Sequence, residues 1–160
     1  MSDLNEREIM DVTEDDLYLY AVQTRLNSMT EILKEIIPDI EPEEMMGING
    51  LPFLRFHVDN DEINISYYMV GGPDDDKYIL NLRSIVYMPE EPDAGLMVSC
   101  DGFNFGSPFG HAVYDPVEGY VELRAQVPEA GGISDTEQYE HMLNLFLYSI
   151  DELRTSIEEE

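Results

Sequence analysis

ISDTEQYEHMLNLFLYSIDELRTSI, residues Ile133 to Ile157, reads as one long amphipathic helix. Ser134 followed three residues later by Glu137 has the spacing of a capping box, in which hydroxyl and carboxylate satisfy orphan amides of the first turn. Asp135, Glu137 and Glu140 put negative charge at the positive end of the helix dipole, and Arg154 puts a cation near the other end. Tyr139, Met142, Leu143, Phe146, Ile150, Leu153 and Ile157 recur at steps of three and four, which draws one apolar stripe. Leu145 and Leu147 widen it, so the helix must lie on a broad surface.

That surface is expected immediately upstream. Val121, Leu123, Ala125 and Val127 alternate with Tyr120, Glu122, Arg124 and Gln126, the cleanest period of two in the chain. His111–Tyr114 pairs with it across the turn Asp115-Pro116-Val117-Glu118-Gly119, and Pro128 with Gly131-Gly132 ends the hairpin. Further upstream, Leu54, Phe56 and Val58 alternate with Arg55 and His57. After Asp59-Asn60-Asp61, Ile63, Ile65, Tyr67 and Met69 alternate with Asn64, Ser66 and Tyr68. KYILNLRSIVYM, from Lys77, is a third strand; its alternation blurs at Ile85-Val86-Tyr87, where a bulge is expected. Between these groups lies EEPDAGLMVSCDGFNFGSPFG, Glu90–Gly110. Gly95 and Gly102 weaken any helix there, and a short irregular helix or loop is expected.

A first helix is expected from Thr13, paired with Asp16 at its cap, to Ile37, with Leu19, Val22, Leu26, Met29, Leu33 and Ile36 as its seam. The seam falls short of the three or four heptads that would argue for a coiled coil. Pro38 stops it, and PDIEPEEMMGINGLP reads as a connecting loop. Residues 1–12 read as a mobile acidic arm, polar enough to be neither a signal nor a transit peptide. Helices at the ends with strands between them give an α+β domain, 1–160. Its antiparallel five-stranded sheet carries the N- and C-terminal helices on one face, in the order α-β-β-β-(α)-β-β-α.

The hairpin pattern Phe109-Gly110, Asp115, Gly119, Val121, Leu123-Arg124-Ala125, Val127-Pro128, followed by GGISDTEQYEHMLNLFLYSIDEL, resembles the YbjN family. The likeness is best over about the last fifty residues and topological before them. The resemblance implies the fold of type III secretion chaperones, and a bacterial regulator of the kind proposed for sensory transduction. It also implies a homodimer that captures proteins. The family carries asparagines in a middle helix before its fourth strand; this chain has glycines and Asn104.

Composition narrows the partners. Thirty-five acids against 8 bases give −27, with Lys34 and Lys77 the two lysines, so a nucleic-acid backbone has little to bind. Excess acid serves solubility, a salty environment, or contact with a basic partner. The single cysteine, Cys100, excludes an internal disulfide and fits a cytoplasmic protein. No apolar run approaches the roughly 20 residues of a membrane span.

No set of residues points to catalysis, a cofactor or a metal. Cys100 and His111 lack a third group, and Asp101 would raise the thiol pKa; a structural cysteine is the better reading. Ser107 in GSPFG follows the glycine directly, so it is a turn and not a nucleophile elbow. His57, His111 and His141 lack ligand spacing, and Asp59–Glu62 and Asp74–Asp76 lack an EF-hand pattern. One constellation concerns binding. Arg55, Arg83 and Arg124 fall on the polar sheet face beside His57, Tyr68 and Tyr120, a candidate partner-binding face rich in the residues that anchor interfaces. The plainer reading is cross-strand pairing with Glu62 and Glu122. The expected function is therefore non-enzymatic protein capture. The alternatives are a small-molecule or ion-sensing domain and an acidic, nucleic-acid-mimicking binder of a basic protein.

Overall fold

A computed structural model describes residues 13–71, 75, 77–107, 109–130 and 135–158. Thr13 opens the first helix, α1 (Glu14–Ile36), by the expected reciprocal cap: its hydroxyl accepts from the Asp16 amide at 3.1 Å while Asp16 accepts from the Thr13 amide at 3.2 Å. Val22, Leu26, Met29 and Leu33 are buried as the period requires. Leu19, expected in the seam, is exposed; Tyr18 packs there instead, and its hydroxyl accepts from the Met69 amide at 2.9 Å.

The stretch expected to be only a connector holds a strand, β1 (Glu43–Met46). It pairs antiparallel with β2 (Pro52–Val58) from Glu43 opposite Arg55 to Met46 opposite Pro52. Its residues are largely exposed, so no hydrophobic period marked it. Then come β3 (Asp61–Met69) and β4 (Lys77–Tyr87), with the expected irregularity of β4 between Ile85 and Tyr87. Asp59 supplies the tight turn into β3 with φ of +55°, a left-handed conformation that aspartate tolerates better than most residues.

Glu90–Gly110 is more regular than expected. It contains a twelve-residue helix, α2 (Gly95–Gly106). The Asp93 carboxylate accepts from the Gly95 amide at 2.9 Å, and Leu96 and Cys100, one turn apart, enter the core. Asn104 fastens the helix to β5 (His111–Asp115), donating to the Ala112 carbonyl at 2.9 Å and accepting from its amide at 2.6 Å. That side-chain amide takes the place of a neighbouring strand on the sheet edge.

β6 (Tyr120–Ala130) and α3 (Thr136–Glu158) complete the chain. The sheet has six antiparallel strands, not five, in the order β1-β2-β3-β4-β6-β5. α1 and α3 lie on one face and α2 packs against β5 and α3 at one edge, an α+β architecture. Leu143, Phe146, Ile150, Leu153 and Ile157 press α3 onto Leu80, Leu82, Val121 and Leu123 within one core. Ser134 lies outside the described residues; the observed cap is Asp135, whose carboxylate accepts from the Glu137 and Gln138 amides at 3.1 and 3.4 Å. Arg154 reaches across to Asp61 at 2.8 Å, pinning the end of α3 to the start of β3. The arm 1–12, Gly131-Gly132, Asp74 and Asp76 also lie outside the described residues.

Candidate functional site

On the face of the sheet away from α1 and α3, strand register sets residues into cross-strand rows. One row runs Glu43, Arg55, Asn64, Arg83, Arg124, His111, a residue from each of the six strands. Period-two alternation brings these residues to one face because their neighbours Leu54, Ile63, Ile65, Leu82, Leu123 and Ala125 are committed to the core. The three arginines expected to share a surface do so.

Arg83 and Arg124 are directly opposite, a like-charged pair that would be destabilising alone. Glu122 resolves it. Arg83 grips its carboxylate with Nε and Nη2 at 3.0 and 3.1 Å, and Arg124 Nε donates to the same group in a shorter contact. The glutamate is 6% exposed at its side chain while both arginines are over 40% exposed, so the carboxylate forms the floor and the guanidiniums the rim. Arg55 makes the second pair, with Glu62 at 3.1 Å, and also donates to the Asn64 side-chain oxygen at 3.3 Å. His57 is solvent-exposed, 3.9 Å from Glu62. Pairing with Glu62 and Glu122 is thus present at all three arginines, across strands for Arg55 and Arg83 and within β6 for Arg124.

Two shallow hollows of about 560 Å³ each adjoin on this face, and both are lined by Tyr68 and Arg83. One extends past Asn81 to Arg124, Gln126 and His111; the other reaches Asn64, Ser66, Phe53 and the β1–β2 turn. Tyr120 is on the same face by alternation, at the β5–β6 turn opposite Asp115, and lines neither hollow.

A third hollow, about 480 Å³, was not anticipated; it lies between β6, α1 and the start of α3. At its base Arg25 binds Glu129 at 2.8 Å, with both side chains under a tenth exposed. Its guanidinium lies 4.3 Å from the Tyr78 ring centroid and 5.7 Å from that of Tyr67, and the two rings meet edge to face. The Tyr139 hydroxyl donates to the second Glu129 oxygen at 2.5 Å. Burial, then the Glu129 carboxylate, pushes the Tyr67 ionisation far above its ordinary value. Burial and the hydrogen bond to Glu129 do the same to Tyr139. The sequence signal for Arg25 is its place between Val22, Leu26 and Met29, which marks a buried position regardless of residue type.

The other residues weighed for chemistry stand apart. Cys100 is buried in α2, its pKa raised first by burial and then by Asp101, which disfavours a thiolate; His111 is exposed on β5. Ser107 closes α2, and its hydroxyl donates to the Phe109 carbonyl at 2.9 Å. Among the described residues, no group of three or more His, Cys, Asp or Glu is placed to hold a metal, and no helix is long and apolar enough to cross a membrane.

No protein-family model matches the chain. No curated protein matches it either. Solved structures do share its fold. A chain of the ExsC–ExsE complex is similar with a TM-score of 0.55 and 16% identity, covering 81% of this chain and 92% of that one. YbjN, a proposed transcription regulator from E. coli, is similar with a TM-score of 0.49 and 12% identity, covering 81% and 87%. The first likeness shows the fold: this chain has the α+β architecture of the type III secretion chaperones, which the resemblance to the YbjN family implied.

Proposed function

We propose that this protein is a non-enzymatic, cytoplasmic interaction module that captures a segment of another protein on the outer face of its sheet and works as a homodimer. The observation that carries the reading is the gathering of three of eight basic residues into one row on that face, beside two adjoining hollows. Arginine and tyrosine are the side chains that most often anchor interfaces, and here they rim a surface that the protein's own helices leave uncovered. The fold supports it too, since the structurally similar chain comes from a two-protein complex.

Affinity purification of the intact protein under native conditions, followed by mass spectrometry, tests this. A specific protein partner should co-purify; its absence across several growth conditions would count decisively against capture. The hollow above Arg25 and Glu129 favours a second reading, a small-molecule sensor with its pocket between sheet and helix. A ligand bound only by the folded state raises the melting temperature, so a metabolite and divalent-ion thermal-shift screen separates the two.

A further inference from the structure

The basic row on the outer face is neutralised on one flank only. One step along the strands in one direction are Glu62 and Glu122, the partners of the arginines. One step in the other direction, Ser66, Asn81 and Gln126 lie side by side, with Gln126 donating to Asn81 at 3.0 Å. That flank is uncharged, and both hollows open over it. The ion pairs join three arginines to two glutamates, and Glu43, opposite Arg55 at the β1 end, brings the charges of the row into balance.

Hydrogen-bond capacity, by contrast, is in surplus. A guanidinium has five N–H donors. Arg124 uses Nε on Glu122, and its terminal nitrogens have no partner among the described residues. Arg83 leaves Nη1 likewise unused, and Arg55 leaves both of its terminal nitrogens so. The unused donors lie along a row that, from Arg55 to His111, crosses four inter-strand steps, about 19 Å at about 4.8 Å each. Tyr68, 44% exposed, stands where the two hollows meet.

We infer that this face takes an acidic, extended segment of a partner protein, laid across the strands with carboxylates on Arg55, Arg83 and Arg124 and an apolar or aromatic side chain against Tyr68. This rests on the capture reading above and names the chemistry of what is captured. Length decides for a peptide over a compact anion: about six extended residues match the row, whereas a phosphate-sized ion would meet one or two arginines in an open hollow. The chain's charge of −27 adds a signature. Repulsion from the whole molecule acts over a Debye length of about 30 Å at 0.01 M salt but only about 8 Å at 0.15 M. Affinity for an acidic segment therefore rises between those salt concentrations, and falls only when direct contacts are screened. A basic partner loses affinity throughout.

The test uses the full chain and a fluorescein-labelled eight-residue peptide alternating glutamate and serine around a central tyrosine, read by anisotropy. Its glutamine-for-glutamate analogue and unlabelled pyrophosphate serve as comparisons. The acidic peptide should bind at least tenfold more tightly than the analogue, with the rise in affinity between 0.01 and 0.15 M salt. Arg124→Gln, which leaves the Arg83 grip on Glu122 in place, should weaken it at least fivefold. Gln126→Glu, an exposed change that puts a carboxylate on the neutral flank beside Arg124, should do the same and remains informative if Arg124→Gln folds poorly. Equal binding of the two peptides, or wild-type affinity in both variants, overturns the assignment. Displacement by pyrophosphate as effective as by unlabelled peptide also overturns it, in favour of a compact anion site. A natural partner retained equally by wild type and both variants sinks the acidic-segment assignment while leaving protein capture intact. Arg124-dependent peptide binding with no natural partner recovered supports the face and sinks the wider reading.

Discussion

Arg25 occupies a core position in α1 with a full positive charge, which is tolerable only because Glu129 meets it and the Tyr67 and Tyr78 rings cover it. Burial works against that charge, yet the hydrogen bond and charge of Glu129 outweigh it, and the arginine pKa is raised. Glu129→Gln keeps the shape and removes the counter-charge, so unfolding in urea should show a loss of about 3–5 kcal/mol, as when one member of a buried pair is deleted. A loss under 1 kcal/mol would mean that water already shields the pair. The same cluster makes stability depend on alkaline pH. Tyr67 and Tyr139 ionise far above tyrosine's ordinary value of about 10 when folded. A raised folded-state pKa contributes stability that is fully present below the unfolded pKa and is lost as pH climbs from there toward the folded one. Above about pH 10, Tyr67 alone should therefore cost up to about 1.4 kcal/mol per pH unit, and Tyr139 less. Tyr67→Phe with Tyr139→Phe should flatten the decline relative to wild type between about pH 10 and 11.5, followed by urea melts; identical slopes would refute the cause. Periodicity along α1 marks position 25 as buried, but a charged residue there reads as solvent-facing until a partner 104 residues away is known.

α2 shows how an element with poor intrinsic propensity is held. Three of its twelve residues are glycine, and the one in the interior, Gly102, costs about 1 kcal/mol relative to alanine. What holds it is tertiary: Leu96 and Cys100 in the core, and the two bonds from Asn104 to Ala112. Asn104→Ala should cost about 1–3 kcal/mol, since it strands an amide and a carbonyl on the sheet edge, and the Ala112 amide should exchange with solvent faster. Asn104→Asp retains only the acceptor, so its loss should fall between wild type and alanine; equality with wild type would remove the clamp from the account. This element and β1 mark the limits of what periodicity reveals. α1, α3 and the five longer strands each bury one face against a single core, so steps of two or of three and four are written into Leu54 to Val58, Tyr120 to Val127 and Met142 to Ile157. β1 is an edge strand with Glu43, Glu44 and Met46 exposed, held by backbone bonds to β2, and backbone bonds leave no trace in side-chain pattern. The arginine row was legible for the same reason as the long strands, because alternation sets face. Its order across the sheet was not, since that depends on β6 lying between β4 and β5.

At the scale of the whole molecule, charge and the remaining apolar surface act against each other. A net charge of −27 opposes self-association, and α2 is one exposed segment nearly free of it: Asp101 is its single ionisable residue besides Cys100. Its outward side carries Met97, Val98 and Phe105, the last 97% exposed. Gly102 and Gly106 meet nothing where a Cβ would stand, so another helix could approach closely along that side. Apolar area of this kind on an otherwise acidic protein is where a second copy gains burial while meeting the least like charge. If the homodimer forms through α2, its stability is a balance of two terms with different salt dependence. Burial of Val98 and Phe105 is insensitive to moderate salt, whereas repulsion between two acidic bodies is screened. The dimer fraction measured by light scattering at fixed protein concentration should therefore rise between 0.02 and 0.5 M sodium chloride. Phe105→Glu adds charge at the centre of the contact and should give a monomer at both concentrations with an unchanged fold, because Phe105 contributes nothing to the core. Phe105→Leu keeps most of the apolar area and should keep the dimer. A dimer that survives Phe105→Glu places the contact on another surface, and a monomer in all salt conditions removes the homodimer altogether.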